Sequence, residues 1–324
     1  MEEILKNLYR IEVPLPRSPL KTLNSYVLKG SDRNLIVDTG WNEKECLVAM
    51  LAGLKELGIN RNRTDFFITH LHADHLGLAW ALASEASEIY FNGPDAERFR
   101  SGFRWDDLFA FARLNGYPED ELEAAGRSHP GFKFSSRESL AFHVVKDGET
   151  IRVGDYRFNC MATPGHTWGH MCLYDPWKKV FVAGDLILSD ITPNIQLWSD
   201  DWNPLKEYLT SLERVSRLDI ELVLPGHRGI LRNWKERIEQ LKHHHQERLN
   251  EIMSILKGGA RNAFQVASQM SWDIVYDSWD LFPVSQKWFA TGEAIAHLKY
   301  LEEAKRIRRE PGEQEIRFSL EPVS

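Results

Sequence analysis

The chain has 324 residues, 43% of them hydrophobic and 27% charged, which is enough apolar material for one large domain and a smaller second one. Its formal net charge of -7 disfavours electrostatic attachment to nucleic acid or to an anionic membrane and favours a small-molecule substrate. The 3 cysteines form no close CxxC pair, so neither a disulfide framework nor a thiolate zinc site is indicated, and a reducing compartment is expected.

The first part of the chain is predicted to combine short β-strands with a helix. Three runs rich in β-branched and aromatic residues end at Pro or Gly, as strands do: LYRIEVPLP, LNSYVLKG and NLIVDTG. Apolar residues at helical spacing predict a helix from about Asn42 to Leu57, which stops at Gly58. A buried strand, DFFIT, then leads directly into THLHADHLG, so that stretch is expected in a loop at the end of a strand.

A helical insertion is predicted from about residue 94 to 137, where the sequence is aromatic on one face and is broken by Gly116 and Pro118. Strands resume after it, with tight turns between several of them: LAFHVV, ETIRV, YRFNCMATPG, HMCLYD and KVFVAGD. Asn203 is a predicted N-cap for a helix that starts at Pro204. A last buried strand, IELVLPGH, ends in a loop.

Three helices and a hairpin are predicted after Arg232. The helices are NWKERIEQLKHHHQERLNEIMSILKGG, AFQVASQM and GEAIAHLKYLEEAKRI, and the hairpin turns at Pro311-Gly312. This is the order of a winged-helix module, so we expect a catalytic domain at residues 1–232 and a mostly helical, winged-helix-like domain at residues 233–324. Successive residues point around a helix axis, so His243, His244 and His245 are expected on a solvated face rather than in a metal site.

The stretch THLHADHLG concentrates metal-ligating side chains. His70 and His72 are two residues apart, so their side chains point the same way in an extended loop. Asp74 and His75 follow, and a turn into a helix that starts near Leu76 can aim them at a neighbouring point. Imidazole and carboxylate groups bind Zn²⁺, Fe²⁺ or Mn²⁺, and a spacing this compact can supply two metal ions from one loop.

Three further candidate ligands each follow a glycine at the end of a predicted strand. They are His166 in ATPGHTWGH, Asp185 in VAGDLIL and His227 in LVLPGH. Glycine lets the backbone turn sharply and bring a polar side chain beside the first cluster. His170, which follows His166 in the same loop, is either a support for the site or a plain structural histidine.

Taken together, these residues resemble the ligand set of the metallo-β-lactamase-fold hydrolases, over about residues 5 to 230. The motifs that carry the resemblance are His70-x-His72-x-Asp74-His75, His166, Asp185 and His227. The resemblance implies an α/β fold of the αββα type, a four-layer sandwich of two mixed sheets with helices outside. It also implies that the metals lie at one edge, where the loops at the strand ends gather.

The resemblance further implies two divalent metal ions, with zinc expected and iron and manganese as alternatives. It assigns His70, His72 and His166 to one ion, Asp74, His75 and His227 to the other, and Asp185 as the bridge between them. Asp38 in LIVDTG matches the family's early strand-end aspartate. By analogy, Asp38 accepts a hydrogen bond from a ligand histidine and orients it.

The reaction that the resemblance implies is hydrolysis by a bridging hydroxide, because two cations lower the pKa of a shared water towards neutrality. The hydroxide would attack the carbonyl of an ester, thioester or lactone, and Asp74 is the expected proton carrier after bond cleavage. The stretch TPGHTWGH resembles glyoxalase II type thioesterases and lactonases more than true β-lactamases.

Aromatic residues near the ligands favour an apolar carbonyl substrate if they line the pocket, and ordinary packing is the alternative. They are Trp198, Trp202, Phe99, Phe103, Trp105, Phe109 and Phe111.

Two other functions stay open. The first is a metal-dependent phosphodiesterase or ribonuclease whose C-terminal module grips RNA through Lys305, Arg306, Arg308 and Arg309, although nucleic acid is not the favoured partner. The second is a winged-helix binding or regulatory protein. The module otherwise serves as a contact in a homodimer or as a cover over the pocket. The start of the chain does not resemble a signal peptide, and no apolar run approaches the roughly 20 residues of a membrane span, so we expect a cytoplasmic protein without membrane contact.

Overall fold

The computed structural model describes residues 1–102, 104–134, 140–273, 276–312 and 315–322. Phe103 and residues 135–137 of the predicted insertion lie outside the described residues. The chain divides into two compact units. Unit 1 comprises Met1–Gly102, Lys133–Pro193 and Ser211–Arg237, and unit 2 comprises Phe103–Phe132, Asn194–Thr210 and Ile238–Ser324. None of the described helices is both long and apolar enough to cross a bilayer.

Unit 1 contains a mixed sheet of 7 strands, whose order in the sheet follows the chain. The first four strands are antiparallel to their neighbours, whereas the fourth to the seventh are parallel. Parallel neighbours need long crossover connections, and here these connections carry helices. The strands are β1 (Glu2–Leu5), β2 (Leu8–Pro14), β3 (Thr22–Leu28), β4 (Asn34–Val37), β5 (Thr64–Phe67), β6 (Ile89–Asn92) and β7 (His143–Val145).

A second mixed sheet in unit 1 has 5 strands in the order β12-β11-β10-β9-β8. The pairs from β8 to β11 are antiparallel, and β12 lies parallel to β11. The turn after β10 is tight because the Asp175 carboxylate accepts the backbone N–H groups of Trp177 and Lys178. The strands are β8 (Thr150–Val153), β9 (Tyr156–Ala162), β10 (Met171–Asp175), β11 (Val180–Gly184) and β12 (Leu222–Pro225).

The two sheets of unit 1 enclose an apolar core. Phe67 from the first sheet and Phe158 from the second are fully buried in one cluster between them. Adjacent residues of a strand point to opposite faces, so Phe66 instead joins a second cluster, with helix residues such as Met50 and Leu76. Helices therefore cover the outer face of the first sheet. Two mixed sheets with helices outside confirm the predicted αββα sandwich.

The helices of unit 1 are α1 (Lys44–Glu56), α2 (Ala73–Leu76), α3 (Ala79–Leu82) and α4 (Gly93–Ser101), with a short 3-10 turn at Arg61–Arg63. Three further helices include residues of both units: α7 (Pro130–Lys133), α8 (Pro204–Ser216) and α9 (Trp234–Leu256). The side chain of Asn203 accepts the backbone N–H of Lys206 at 3.1 Å, which confirms the predicted N-cap of α8.

Unit 2 is mostly helical and ends in a β-hairpin. Its own elements are α5 (Trp105–Leu114), α6 (Glu119–Ser128), α10 (Ala263–Ala267), α11 (Val284–Glu303), β13 (Ile307–Pro311) and β14 (Ile316–Leu320), with a 3-10 turn at Trp279–Leu281. The buried Trp288 of α11 packs in one cluster with Leu108 of α5 and Ala125 of α6. It also stacks on Trp198, with ring centroids 3.8 Å apart.

The predicted helical insertion is divided between the two units, because α4 belongs to unit 1 whereas α5 and α6 belong to unit 2. The mostly helical C-terminal domain is confirmed. Its winged-helix topology and the domain boundary near residue 232 stay predictions.

The sequence misplaces a few elements for identifiable reasons. Neither β1 nor β6 was predicted, because neither shows a clear alternation of apolar and polar residues. Helix α2 begins at Ala73 rather than near Leu76, and α11 begins at Val284 rather than at Gly292. Gly292 lies inside α11, where an added Cβ would come within 2.8 Å of Trp198 Nε1. The glycine at position 292 therefore reflects close packing against Trp198, and it does not mark the start of a helix.

The inter-sheet core predicts a large cost for removing one of its rings. Phe158→Ala should lower the free energy of unfolding by about 3–5 kcal/mol, because it leaves a cavity in a fully buried cluster. Val48→Ala, at a position of α1 that is 58% exposed, should change it by less than about 0.5 kcal/mol. Denaturant unfolding of both variants measures the difference. Equal losses in the two variants would contradict this account of the core.

Candidate metal centre

The stretch THLHADHLG leaves the first sheet at the end of β5 and turns into α2. Residues 68–72 are not helical, and Asp74 and His75 lie in the first turn of α2. His70 and His75 are fully buried. The Thr69 N–H and hydroxyl both donate to Asp38, at 2.9 and 2.8 Å. The backbone between strand and helix is therefore fixed directly before the first histidine.

Three imidazole rings converge in the first ligand group. His72 Nδ1 lies 3.0 Å from His70 Nε2 and 3.0 Å from His166 Nε2. Each of the three residues offers a ring nitrogen within 4.8 Å of the other two. Three nitrogen donors at this spacing are the ligand type and number that a catalytic zinc site uses.

The second ligand group consists of Asp74, His75 and His227, whose ligand atoms also lie within 4.8 Å of one another. Asp74 Oδ2 is 3.3 Å from His227 Nε2 and 3.9 Å from His75 Nε2. All three residues are buried, Asp74 with 8% of its surface exposed. A carboxylate and two imidazoles thus form a second donor set beside the first.

Asp185 lies between the two groups. Its Oδ2 is 3.6 Å from His166 Nε2 in the first group and 3.5 Å from His227 Nε2 in the second, and its Oδ1 is 3.6 Å from His75 Nε2. One carboxylate therefore faces ligands of both groups, which is the position that a bridging ligand requires. The structure brings all seven predicted ligands into one buried cluster.

Hydrogen bonds on the far side of the rings determine which nitrogen faces the cluster. His227 Nδ1 donates to the carbonyl of Thr22 at 2.8 Å, and a carbonyl can only accept. His75 Nδ1 is 2.7 Å from Asp38 Oδ2, the contact predicted by analogy for Asp38. When either ring is neutral its proton is therefore on Nδ1, and Nε2 is the nitrogen that would bind a cation, the usual arrangement of metal-ligating histidines.

Residues with this geometry fit two cations. Among the described residues, His75 Nε2, His227 Nε2 and Asp185 Oδ1 are buried and have no hydrogen-bond partner. Buried polar atoms without a partner cost free energy, and all three point into the same cluster. Coordination of a cation would satisfy each of them.

The electrostatics of the cluster also suit cations. Burial, together with the neighbouring imidazoles, lowers the pKa of both His70 and His72, so these rings are neutral donors. Burial alone would raise the pKa of Asp74, but His75 and His227 lower it to about 2. The pKa of Asp185 is likewise lowered by His227 and His75 against the effect of burial. Both carboxylates are therefore ionised.

Glycines before two of the ligands serve different purposes. Gly184 has φ of +48°, so it turns the chain in a region that other residues rarely adopt, directly before Asp185. Gly226 is needed for space, because an added Cβ would lie 2.5 Å from Asp185 Oδ1 and 2.8 Å from His75 Cε1.

His170 supports the site and is not one of the seven candidate ligands. Its Nε2 accepts the backbone N–H of Asp185 at 3.1 Å, and its Nδ1 lies 2.8 Å from the Thr163 hydroxyl. Burial lowers the pKa of His170 to about 3, so the ring is neutral and Nε2 can accept. The structure thus favours the first of the two interpretations that the sequence left open.

Asp95 was missed by the sequence analysis. This fully buried residue accepts hydrogen bonds from the backbone of Leu71 and Gly169 and from the hydroxyl of Thr167. Burial raises the pKa of Asp95 to about 6, although these hydrogen bonds act in the other direction. The only signal in the sequence is the turn NGPD after an apolar run, which is too common to indicate such a contact.

Several of the aromatic residues proposed to line a pocket pack within their own units. Trp198, Trp105 and Phe109 contact the Trp288 cluster of unit 2, and Phe99 packs against Phe142 in unit 1. Ordinary packing therefore accounts for these side chains.

The close approach at Gly226 predicts a selective defect. Gly226→Ala should retain the fold but lower the metal content of the purified protein, because the added Cβ displaces Asp185 and His75. Gly229→Ala is the matched control in the same loop, since its Cβ would meet nothing closer than 3.6 Å. Elemental analysis of both variants and of the wild type measures the difference. Equal metal content in the two variants would contradict the assigned packing.

Comparison with known proteins places the chain in a family. Residues 21–227 match the Metallo-beta-lactamase superfamily, and residues 249–321 match the metallo-beta-lactamase-like C-terminal domain. The chain is 28% identical over 308 residues to Probable metallo-hydrolase YqjP of Bacillus subtilis, with 92% of each chain covered. It is 25% identical over 224 residues to acyl-coenzyme A thioesterase MBLAC2 of Bos taurus, with 63% of this chain and 72% of that protein covered.

Among solved structures, the metallo-beta-lactamase family protein TTHA1429 from Thermus thermophilus superposes with a TM-score of 0.82 at 28% identity. The superposition covers 98% of this chain and 100% of that chain. The superfamily match itself spans every candidate ligand from His70 to His227. The chain therefore belongs to the metallo-beta-lactamase superfamily and is a metal-dependent hydrolase.

Proposed function

We propose that this chain is a dinuclear metal-dependent hydrolase that cleaves a thioester. The observation that carries the proposal is the position of Asp185, which lies within 3.6 Å of ligand nitrogens in both groups. Two cation sites that share one carboxylate suit hydrolysis at a polarised carbonyl. Esters and lactones are the related substrates against which the thioester must be compared.

In this proposal His70, His72 and His166 would hold one cation, Asp74, His75 and His227 would hold the other, and Asp185 would lie against both. When bound, such cations would make hydroxide available from water near neutral pH and would polarise the substrate carbonyl. Zinc suits a donor set dominated by imidazole, and iron or manganese would accept the same ligands. Asp38 and His170 keep His75 and Asp185 oriented through the hydrogen bonds described above.

Attack by water is supported by the state of the cysteines, since all 3 are buried. Burial raises the pKa of Cys46 to about 11 and that of Cys160 to about 12, and it also raises the pKa of Cys172. A thiolate nucleophile needs the opposite shift, towards a lower pKa. The seven candidate ligands include neither serine nor cysteine.

The leaving group decides between a thioester and an ester. A thiol has a pKa of about 8.5 and leaves as an anion without a proton, whereas an alcohol needs an acid. The only carboxyl groups among the ligands are Asp74 and Asp185, whose pKa values are lowered by neighbouring histidines, so neither holds a proton in readiness. Asp74 serves in this proposal as a transient carrier of the proton that water releases.

Similarity to a named thioesterase agrees with this choice. MBLAC2 is named an acyl-coenzyme A thioesterase, and its similarity to this chain motivates an acyl thioester of coenzyme A as the first substrate to test.

RNA is the weaker candidate substrate, because two basic residues of the C-terminal hairpin already form ion pairs. Arg309 contacts Asp200 and Glu302, and Arg308 contacts Glu310. A cytoplasmic location and a homodimer remain predictions.

The shared carboxylate is expected to be essential. Asp185→Asn should lower kcat/KM on the order of a hundredfold or more, because it removes a negative charge that faces both ligand groups. Asp175→Asn is the control, since Asp175 is also buried but accepts backbone hydrogen bonds from Arg157, Trp177 and Lys178 away from the ligands. It should lose stability while keeping turnover. Near-wild-type hydrolysis by Asp185→Asn would refute the two-cation mechanism.

The substrate class can be tested on one preparation of metal-loaded protein. Acyl-coenzyme A thioesters of several chain lengths should be hydrolysed faster than oxygen esters with the same acyl group, because the thiolate leaves without an acid. Lactones and bis(p-nitrophenyl) phosphate complete the panel. Faster turnover of the phosphodiester than of every carbonyl substrate would replace the thioesterase proposal with the nuclease alternative.

A further inference from the structure

One buried carboxylate outside the ligand set connects the two loops that carry the three-histidine group. Asp95 lies in the first turn of α4 and is fully buried. Its Oδ2 accepts the N–H of Leu71 at 2.9 Å and the hydroxyl of Thr167 at 2.8 Å, and its Oδ1 accepts the N–H of Gly169 at 2.8 Å. All these donors belong to segments that carry candidate ligands.

Two of these donors are next to candidate ligands in the chain. Leu71 stands between His70 and His72, and Thr167 follows His166 directly. The β5–α2 loop and the β9–β10 loop therefore both donate hydrogen bonds to the Asp95 side chain. Each of its two oxygens accepts at least one of these bonds. Gly169 permits the contact, because an added Cβ would lie 2.6 Å from the Asp95 backbone nitrogen.

We propose that Asp95 is a positioning residue that holds these two loops at the separation at which the nitrogens of His70, His72 and His166 converge. Asp95 thereby sets the affinity of the three-histidine group for a cation. The inference rests on the metal-binding part of the proposed function and is independent of the substrate.

The effect should be confined to one of the two groups. His75 is held by Asp38 at 2.7 Å, and His227 is held by the Thr22 carbonyl at 2.8 Å. Asp95 makes none of these contacts. Loss of Asp95 should therefore weaken the three-histidine group and leave the group of Asp74, His75 and His227 close to its original affinity.

Two kinds of variant test the inference. Asp95→Asn is nearly isosteric, but its amide nitrogen cannot accept, so at least one donor from the ligand loops loses its partner. Thr167→Val removes the hydroxyl but keeps a side chain of similar shape, whereas Thr167→Ser keeps the hydroxyl. Asp65→Asn is the matched control, since Asp65 is also a buried carboxylate that accepts a backbone N–H, from Glu88, but it pairs with Arg33 and contacts no ligand loop.

The readout is metal binding by the full chain, measured without substrate. Metal-free protein is titrated with Co²⁺, whose visible absorption reports the ligand geometry of each site, and with Zn²⁺ followed by calorimetry. We expect Asp95→Asn and Thr167→Val to weaken one of two sites by about tenfold or more, with a changed Co²⁺ spectrum. Thr167→Ser and Asp65→Asn should bind both ions like the wild type.

The outcomes separate this inference from the proposed function. Unchanged affinity and spectra at both sites in Asp95→Asn, or in Thr167→Val if Asp95→Asn does not fold, would overturn the role of Asp95 and leave the hydrolase proposal intact. Equal weakening of both sites would also overturn it, because a general loss of structure would then explain the effect. A wild-type protein that takes up no metal would overturn both.

Discussion

The site depends on the burial of many polar ligand atoms in one small volume. Two ionised carboxylates and five imidazoles converge there, and all seven are candidate ligands of a cation. Taking such groups out of water is costly unless each finds a partner. The nitrogens and oxygens that face inward find too few partners among themselves, as the unpaired atoms of His75, His227 and Asp185 show. Bound cations would give these atoms the partners that the protein does not provide.

The fold meets this requirement by collecting the ends of strands from both sheets. Ligands follow β5 in the first sheet and β9, β11 and β12 in the second. The sheets contribute an apolar core that fixes where these strands end, and the loops beyond them contribute the chemistry. Several of these candidate ligands, or the loops that carry them, are then held by a second group. Asp38 holds His75, His170 holds the backbone of Asp185, and Asp95 joins the loops of the three-histidine group.

The sequence revealed the ligands more readily than their supports. His70 to His75 are visible because they are adjacent in the chain, and Asp185 and His227 because each follows a glycine after an apolar strand. Asp95 could not be found in this way, since its partner Thr167 lies 72 residues away. His245 was predicted on a solvated face, which was wrong because α11 covers it and His297 Nε2 lies 3.0 Å from its Nδ1. Contacts between residues that are far apart in the chain leave no local pattern in the sequence.

The same separation between ligands and supports explains why the family alone does not determine the substrate. The seven candidate ligands, with cations bound, would supply a nucleophile from water, and that chemistry serves many electrophiles. What narrows the choice is the absence of a ready acid among the ligands, because Asp74 and Asp185 are both ionised by the histidines around them. A site whose carboxyl groups are ionised at rest works best on groups that leave as stable anions. Thiolates meet that condition more readily than alkoxides, which is why the substrate that we propose is a thioester.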